Sequence, residues 1–145
     1  MVDRHVSFEL SHDIHRLDRA LVVGWITESS YWAKGRPGDV QDAAIDGSLN
    51  VGAFVDQAQV GYGRLVTDGA TFGWICDVFV LPDHRGRGIA RAMVRALIDH
   101  PSASTVGRFM LATRDAHGVY ATLGFGPIED PTRWMELRRA QPGKR

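Results

Sequence analysis

Cysteine is nearly missing from this chain: Cys76 is the only one among 145 residues. A lone thiol closes no internal disulfide and builds no zinc cluster, so disulfide-stapled and zinc-ribbon classes are excluded. An excess of either charge is missing too, because 17 Lys and Arg balance 17 Asp and Glu. A broad nucleic-acid footprint would need a basic surplus, so no nucleic-acid partner is expected. No apolar run approaches the roughly 20 residues that a membrane-spanning helix requires. The polar opening Met1-Val-Asp-Arg-His5 lacks the apolar core of a signal peptide. A chain of the reducing cytoplasm with no membrane contact is the expectation. Repeats and low-complexity segments are also absent. What remains, 44% apolar and 23% charged residues, describes a folded globular protein, and the length suits one domain over residues 1–145.

The chain opens with an alternating stretch, Val6 to Leu10, that predicts a first strand. A helix is expected from Leu17 to Ser29, with Leu17, Leu21, Trp25 and Glu28 along one side. His12 and His15 have metal-like spacing, but no third ligand stands nearby and two solvated histidines are the simpler reading. Ser30 to Gly38, SYWAKGRPG, is a loop rich in aromatic residues. Tyr31 and Trp32 there either plug the edge of the core or wall a pocket. Asp39 to Leu49 predicts a second short helix. Asn50–Asp56 and Gln59–Thr67 read as strands joined by a tight turn. Asp68-Gly69 then turns the chain into a third antiparallel strand, Thr71–Leu81.

Asp77 to His100 organises the whole. The strand ends at Pro82, which has no N–H for a ladder. From Gly88, apolar residues at Ile89, Ala90, Met93, Val94, Leu97 and Ile98 follow helical spacing, with Arg87, Arg91 and Arg95 on the opposite side. From Asp83 to His100, Arg85, Arg87, Arg91 and Arg95 outnumber Asp83 and Asp99 by two charges, which suits a small polyanion. A glycine loop opening a helix presents free N–H groups and the positive end of the helix dipole to such an anion. Two nucleotide fingerprints fail here. The third glycine of a dinucleotide site is replaced by Arg91, and the Gly-Lys-Ser/Thr of a P-loop is absent. Downstream, Arg108–Thr113 predicts a strand parallel to its predecessor. Asp115 is positioned to cap a short helix carrying Ala116, Val119, Tyr120 and Leu123, with Gly124 at its C-terminal end. Trp134–Leu137 predicts a final strand, and 138–145 a loose basic tail.

The surviving pattern, Arg85-Gly86-Arg87-Gly88-Ile89-Ala90, resembles the Q/R-x-x-G-x-G/A acyl-CoA loop of the GNAT superfamily of N-acetyltransferases. Val78-Phe-Val-Leu-Pro82 before it resembles that family's fourth strand, and Tyr120-Ala-Thr-Leu-Gly-Phe125 its Y-x-x-x-G-F. Ser30-Tyr-Trp32 and Thr113-Arg-Asp-Ala-His-Gly-Val-Tyr120 are similar to a small stand-alone bacterial-type subset. The likeness runs from about Val6 to Leu137. Asp115 departs from the Asn that many relatives place before the last helix to touch the pantetheine arm.

The resemblance implies an α/β fold of α+β type. Its mixed, largely antiparallel sheet is splayed between strands 4 and 5, with helices on both faces. It implies acetyl-CoA as co-substrate and no metal. Pantetheine amides would pair with the backbone near Phe79, Val80 and Leu81, and the pyrophosphate would rest on N–H groups from Arg85 to Ala90. Arg91 meets the adenosine phosphate or is simply solvated. Tyr120 is the family-matched general acid, and Val80 offers an N–H to an oxyanion. Asp77 is the best-placed base, or else a hydrogen-bond acceptor or substrate anchor with water carrying the proton. Glu28 stands behind it. Trp25, Glu28, Tyr31 and Trp32 are the expected acceptor pocket, for a cationic amine with an apolar body. The implied function is acetyl transfer to a primary amine by direct attack, with a homodimer common among relatives. The alternatives are a CoA-binding regulatory module without activity, and an acyltransferase using longer acyl groups or a hydroxyl acceptor.

Overall fold

The strand and turn signals of the middle of the chain fold as a five-stranded sheet in a computed structural model that describes residues 7–140. The strands are β1 (Glu9–Ser11), β2 (Leu49–Val55), β3 (Ala58–Thr67), β4 (Gly73–Val80) and β5 (Phe109–Met110), in sequential spatial order. The first four are mutually antiparallel, and β5 lies parallel to β4. The mixed sheet is the one expected. Local chemistry explains its hairpins. Asp56 and Gln57 both take positive φ, at 48° and 69°, the twist that a two-residue hairpin loop demands. At the β3–β4 turn, the Asp68 carboxylate accepts from the N–H groups of Ala70 and Thr71 and from the Thr71 hydroxyl.

Helices cover both faces. The first, α1 (Arg19–Gly24), continues into a π-helical turn, Trp25–Ser29. Its first turn is capped by the Asp18 carboxylate, which accepts from Leu21 N. The second, α2, spans Gly38–Asp46. These pack Val22, Trp25, Ile26 and Ile45 against Tyr62 and Phe79 on one side of the sheet. On the other side, α3 (Ile89–Ile98) buries Ile89, Met93, Val94 and Leu97 against Val51, Val60, Leu65 and Ile75. Each fully buried aliphatic side chain of this kind contributes about 1.5–3 kcal/mol through the area it removes from water.

Two features of β4 shape the rest. First, Asp77 and Val78 together stand against the single residue Gly63, a bulge at which Asp77 takes φ +54°. The bulge changes the parity of the strand. Ile75 packs on the α3 side, yet Phe79 packs on the opposite side and Val80 on the α3 side; a regular strand would keep Ile75 and Phe79 together. Second, β4 and β5 pair only at Gly73↔Phe109 and Trp74↔Met110. A Cβ on Gly73 would lie 2.8 Å from side-chain carbons of both Leu65 and Phe109, so glycine lets the two strands close up there. Beyond Trp74 the strands part, and among the described residues the edge of β4 from Ile75 to Val80 has no strand neighbour on that side.

The structure departs from the sequence reading at several elements. The strand expected over Arg108–Thr113 keeps only Phe109–Met110, because Leu111–Thr113 swings away from β4. The expected strand Trp134–Leu137 does not form: no strand of the sheet pairs with it, and Met135 and Leu137 are 96% and 79% exposed. The last helix, α4 (His117–Ala121), is not capped by Asp115; the Thr113 hydroxyl accepts from Ala116 N at 3.0 Å instead. Gly124 does take the left-handed conformation, φ +99°, and Phe125 turns its ring back toward Tyr120. His12 donates from Nδ1 to the Asn50 carbonyl, and among the described residues no group of three His, Cys, Asp or Glu side chains converges as a metal set. Val6 and residues 141–145 of the expected tail lie outside the described residues.

Candidate active site

The V between β4 and α4 holds two adjoining cavities of about 550 and 380 Å³. The outer one runs along the open edge of β4 at Val78–Val80 to the loop before α3. The inner one reaches back over Trp74, Cys76 and Asp77 toward Arg36 and Arg64. Six residues wall both: Tyr31, Trp32, Val78, Asp115, Ala116 and Tyr120. A molecule entering from each side would meet there.

The loop before α3 is built to receive an anion. After Val80 a short 3-10 turn, Pro82–His84, redirects the chain. The Arg85 side chain ties the loop to the strand by donating from Nε to the Val80 carbonyl at 2.8 Å. Gly86 and Gly88 take φ +77° and +80°, conformations a side chain would strain. Gly88 stands immediately before α3 with no side-chain cap. Among the described residues, the N–H groups of Gly86 to Arg91 meet no protein acceptor, so the positive end of a ten-residue helix faces the cavity unspent. The buried Nδ1 of His84, on the same wall, also lacks a partner.

Not every expected cofactor residue lies on this wall. Phe79, Val80, Gly86, Gly88, Ile89, Ala90 and Asp115 do, as does the Arg85 side chain. The Arg85 N–H, however, is spent on the Pro82 carbonyl, so the free donors begin at Gly86. The Leu81 N–H is spent on Val60, and neither Leu81 nor Arg87 lines the cavity. Arg91 is tied across its mouth, donating from Nε to the Thr122 hydroxyl at 3.0 Å. Its side chain is nevertheless exposed, as the solvated reading has it.

The acceptor side changes more. Trp25 is core: it is buried and stacks on Phe79 with centroids 5.3 Å apart. Glu28 is exposed and lines neither cavity. Tyr31 and Trp32 do line both cavities, and Trp32 also packs against the edge of the core. The Tyr31 hydroxyl accepts from Arg114 N at 3.0 Å, and Trp32 Nε1 donates to Asp77 Oδ1 at 2.8 Å.

Asp77 is surrounded by donors. Besides Trp32, its Oδ2 accepts from Arg64 Nε at 2.7 Å, Gln41 Nε2 at 3.0 Å and Arg36 Nη1 at 3.3 Å. Burial pushes its pKa up, but the Arg64 charge and the bonds from Arg64, Gln41 and Trp32 outweigh this and hold it below the ordinary carboxylate value. A carboxylate so engaged is a poor proton acceptor, and its partners fit the hydrogen-bond acceptor named among its alternatives. Arg36, Gln41 and Arg64 were invisible as a group in the sequence, because they come from a loop, a helix and a strand. The arginine in the aromatic loop SYWAKGRPG was the one available hint.

Tyr120 points into the junction from α4, half-buried, and its hydroxyl has no partner among the described residues. Burial, with a smaller contribution from Tyr31, raises its pKa above the ordinary tyrosine value, so it keeps its proton at neutral pH. Burial also pushes the Cys76 thiol up to about 11 against the opposing charge of Arg64, which removes it as a nucleophile.

The comparisons agree with this geometry. A model described as the acetyltransferase (GNAT) family matches residues 14–125. A crystal structure from Xanthomonas campestris pv. campestris, assigned to the GNAT acetyltransferases, is 44% identical, covering 94% of this chain and 95% of that one at a TM-score of 0.86. A Clostridium acetobutylicum acetyltransferase solved with acetyl-CoA shares the fold at 18% identity and TM-score 0.65, over 91% and 95% of the two chains. A Gibberella zeae protein named as an acetyltransferase is 51% identical over 39 residues, 27% of this chain and 22% of that protein's length. With its family match and its splayed mixed sheet, the chain belongs to the acetyltransferase (GNAT) family, a family of acyltransferases.

Proposed function

We propose that the chain transfers an acetyl group from acetyl-CoA to a primary amine of a small molecule or peptide, by direct attack at the junction of the two cavities. The observation that carries this reading is Tyr120. It stands, protonated and without a partner, where a cavity headed by free helix N–H groups meets a second cavity of its own.

Acetyl-CoA, when bound, supplies the thioester acyl group. The chain's residues do the rest. The N–H groups of Gly86 and of Gly88–Arg91 hold the pyrophosphate, and the open edge of β4 at Val78–Val80 offers backbone partners to the pantetheine amides, in the manner of an added strand. The Tyr120 hydroxyl gives its proton to the departing sulfur. The amine's proton leaves by water through the open mouth, since Asp77 is fully engaged. The half-buried thiol of Cys76 suits a reducing, cytoplasmic setting.

Calorimetric titration with acetyl-CoA, followed by free-thiol detection over an amine panel, tests the reading. Binding with amine-dependent thiol release is expected. Binding without any turnover would instead favour the regulatory module, and absence of binding would overturn both.

A further inference from the structure

Where Asp77 lies, the wall of the inner cavity carries one carboxylate and two guanidiniums. Arg36 and Arg64 both line it, and both lie against Oδ2 of Asp77, at 3.3 and 2.7 Å. One positive charge is therefore left over. Donor accounting agrees. Arg64 spends Nε on Asp77 and Nη1 on the Ser48 hydroxyl, and its Nη2 has no partner among the described residues. Arg36 spends Nη1 on Gln41 and Asp77, leaving Nε and Nη2 without one. The side chains are only 12% and 23% exposed, yet these free nitrogens are not sealed from solvent, so they are open to an anion that enters the cavity.

The other groups facing this cavity do not cancel the charge. Tyr120 and the Cys76 thiol, both raised by burial, bring no charge at neutral pH. Asp115, at the junction, is well exposed and has its own cation, Arg114 Nη2, at 3.6 Å. Trp74, Val66 and Leu111 supply apolar wall to the same cavity.

Resting on the proposed acetyl transfer, we infer that the acceptor is an amine carrying an anionic group, carboxylate or phosphate, which pairs with Arg36 and Arg64 while the amine meets Tyr120. Guanidinium forks match both anions in shape and charge. This adds an anionic group to the cationic amine with an apolar body expected from the sequence.

Matched acceptors test it: phenylalanine against phenylalanine amide and phenethylamine, and O-phosphoethanolamine against ethanolamine. In at least one set the anionic member should have a kcat/KM about 10- to 100-fold higher, the range of a charge-assisted contact. The set that shows the preference tells carboxylate from phosphate. Arg36→Met should remove that preference while CoA still binds, which certifies the fold; Arg64 is left in place so that Asp77 keeps an ion pair. Amines acetylated with no preference for the anion, or a preference that survives Arg36→Met, would overturn the inference and leave acetyl transfer standing. If no amine is acetylated, acetyl transfer is what fails. Calorimetry of N-acetylphenylalanine against its amide on the CoA complex, with N-acetyl-O-phosphoethanolamine against N-acetylethanolamine, then decides the inference. Equal binding within both pairs would overturn it.

Discussion

The indole Nε1 of Trp32 donates to Oδ1 of Asp77 at 2.8 Å, joining a wall of both cavities to the bulge of β4. The bond fixes the plane of the indole from a carboxylate that is itself held by three further donors. Trp32→Phe keeps most of the apolar area but leaves a buried carboxylate oxygen without its donor. Urea denaturation should show a loss of about 1–3 kcal/mol. Combined with Asp77→Asn, the two losses should not add, because the residues share one contact. Strict additivity would mean that the contact carries no coupling energy.

Asp77 gives a pH prediction. In the unfolded chain it titrates near about 3.9, whereas the Arg64 ion pair and three donors hold it lower in the fold. The native state therefore binds fewer protons between the two values. The stability Asp77 contributes is full above the unfolded value and disappears as pH falls through the folded one. Asp77→Asn should destabilise the protein at pH 7 by about 3–5 kcal/mol, the cost of breaking a buried pair, and should flatten the acid limb of stability against pH. An unchanged acid limb in Asp77→Asn would contradict the assignment.

Gly88→Val tests the loop. The position has open space for a side chain, yet its φ of +80° strains any β-branched residue, and a valine would project where an anion must approach the backbone. CoA affinity measured by calorimetry should fall at least about tenfold while circular dichroism reports a folded protein. Unchanged affinity would place the phosphates elsewhere.

Much of this was legible because the signals were local. The hairpins follow from Asp68-Gly69 and the alternating strands around it, the helix from the spacing of Ile89, Met93, Val94 and Leu97, and the cavity loop from two glycines after Pro82. The bulge was not legible, since nothing in Cys76-Asp-Val78 marks where two residues will oppose Gly63. Because it reverses the side on which Phe79 packs, the fate of Trp25, which stacks on Phe79, was hidden with it. Arg36, Gln41 and Arg64 meet only through tertiary packing around one carboxylate. Trp134–Leu137 is apolar enough for a strand, but pairing needs a neighbour, and β5 gives the sheet only two residues.

The account rests most heavily on Tyr120. Tyr120→Phe removes one hydroxyl that makes no bond among the described residues, so unfolding and CoA affinity should stay close to the parent's. With the best acceptor of the amine panel, at saturating acetyl-CoA and under conditions where chemistry limits the rate, kcat should fall by about 10²- to 10⁴-fold, the range of general acid assistance. A kcat within about twofold of the parent's, well short of that range, would contradict the account and leave Tyr120 as a packing residue of α4.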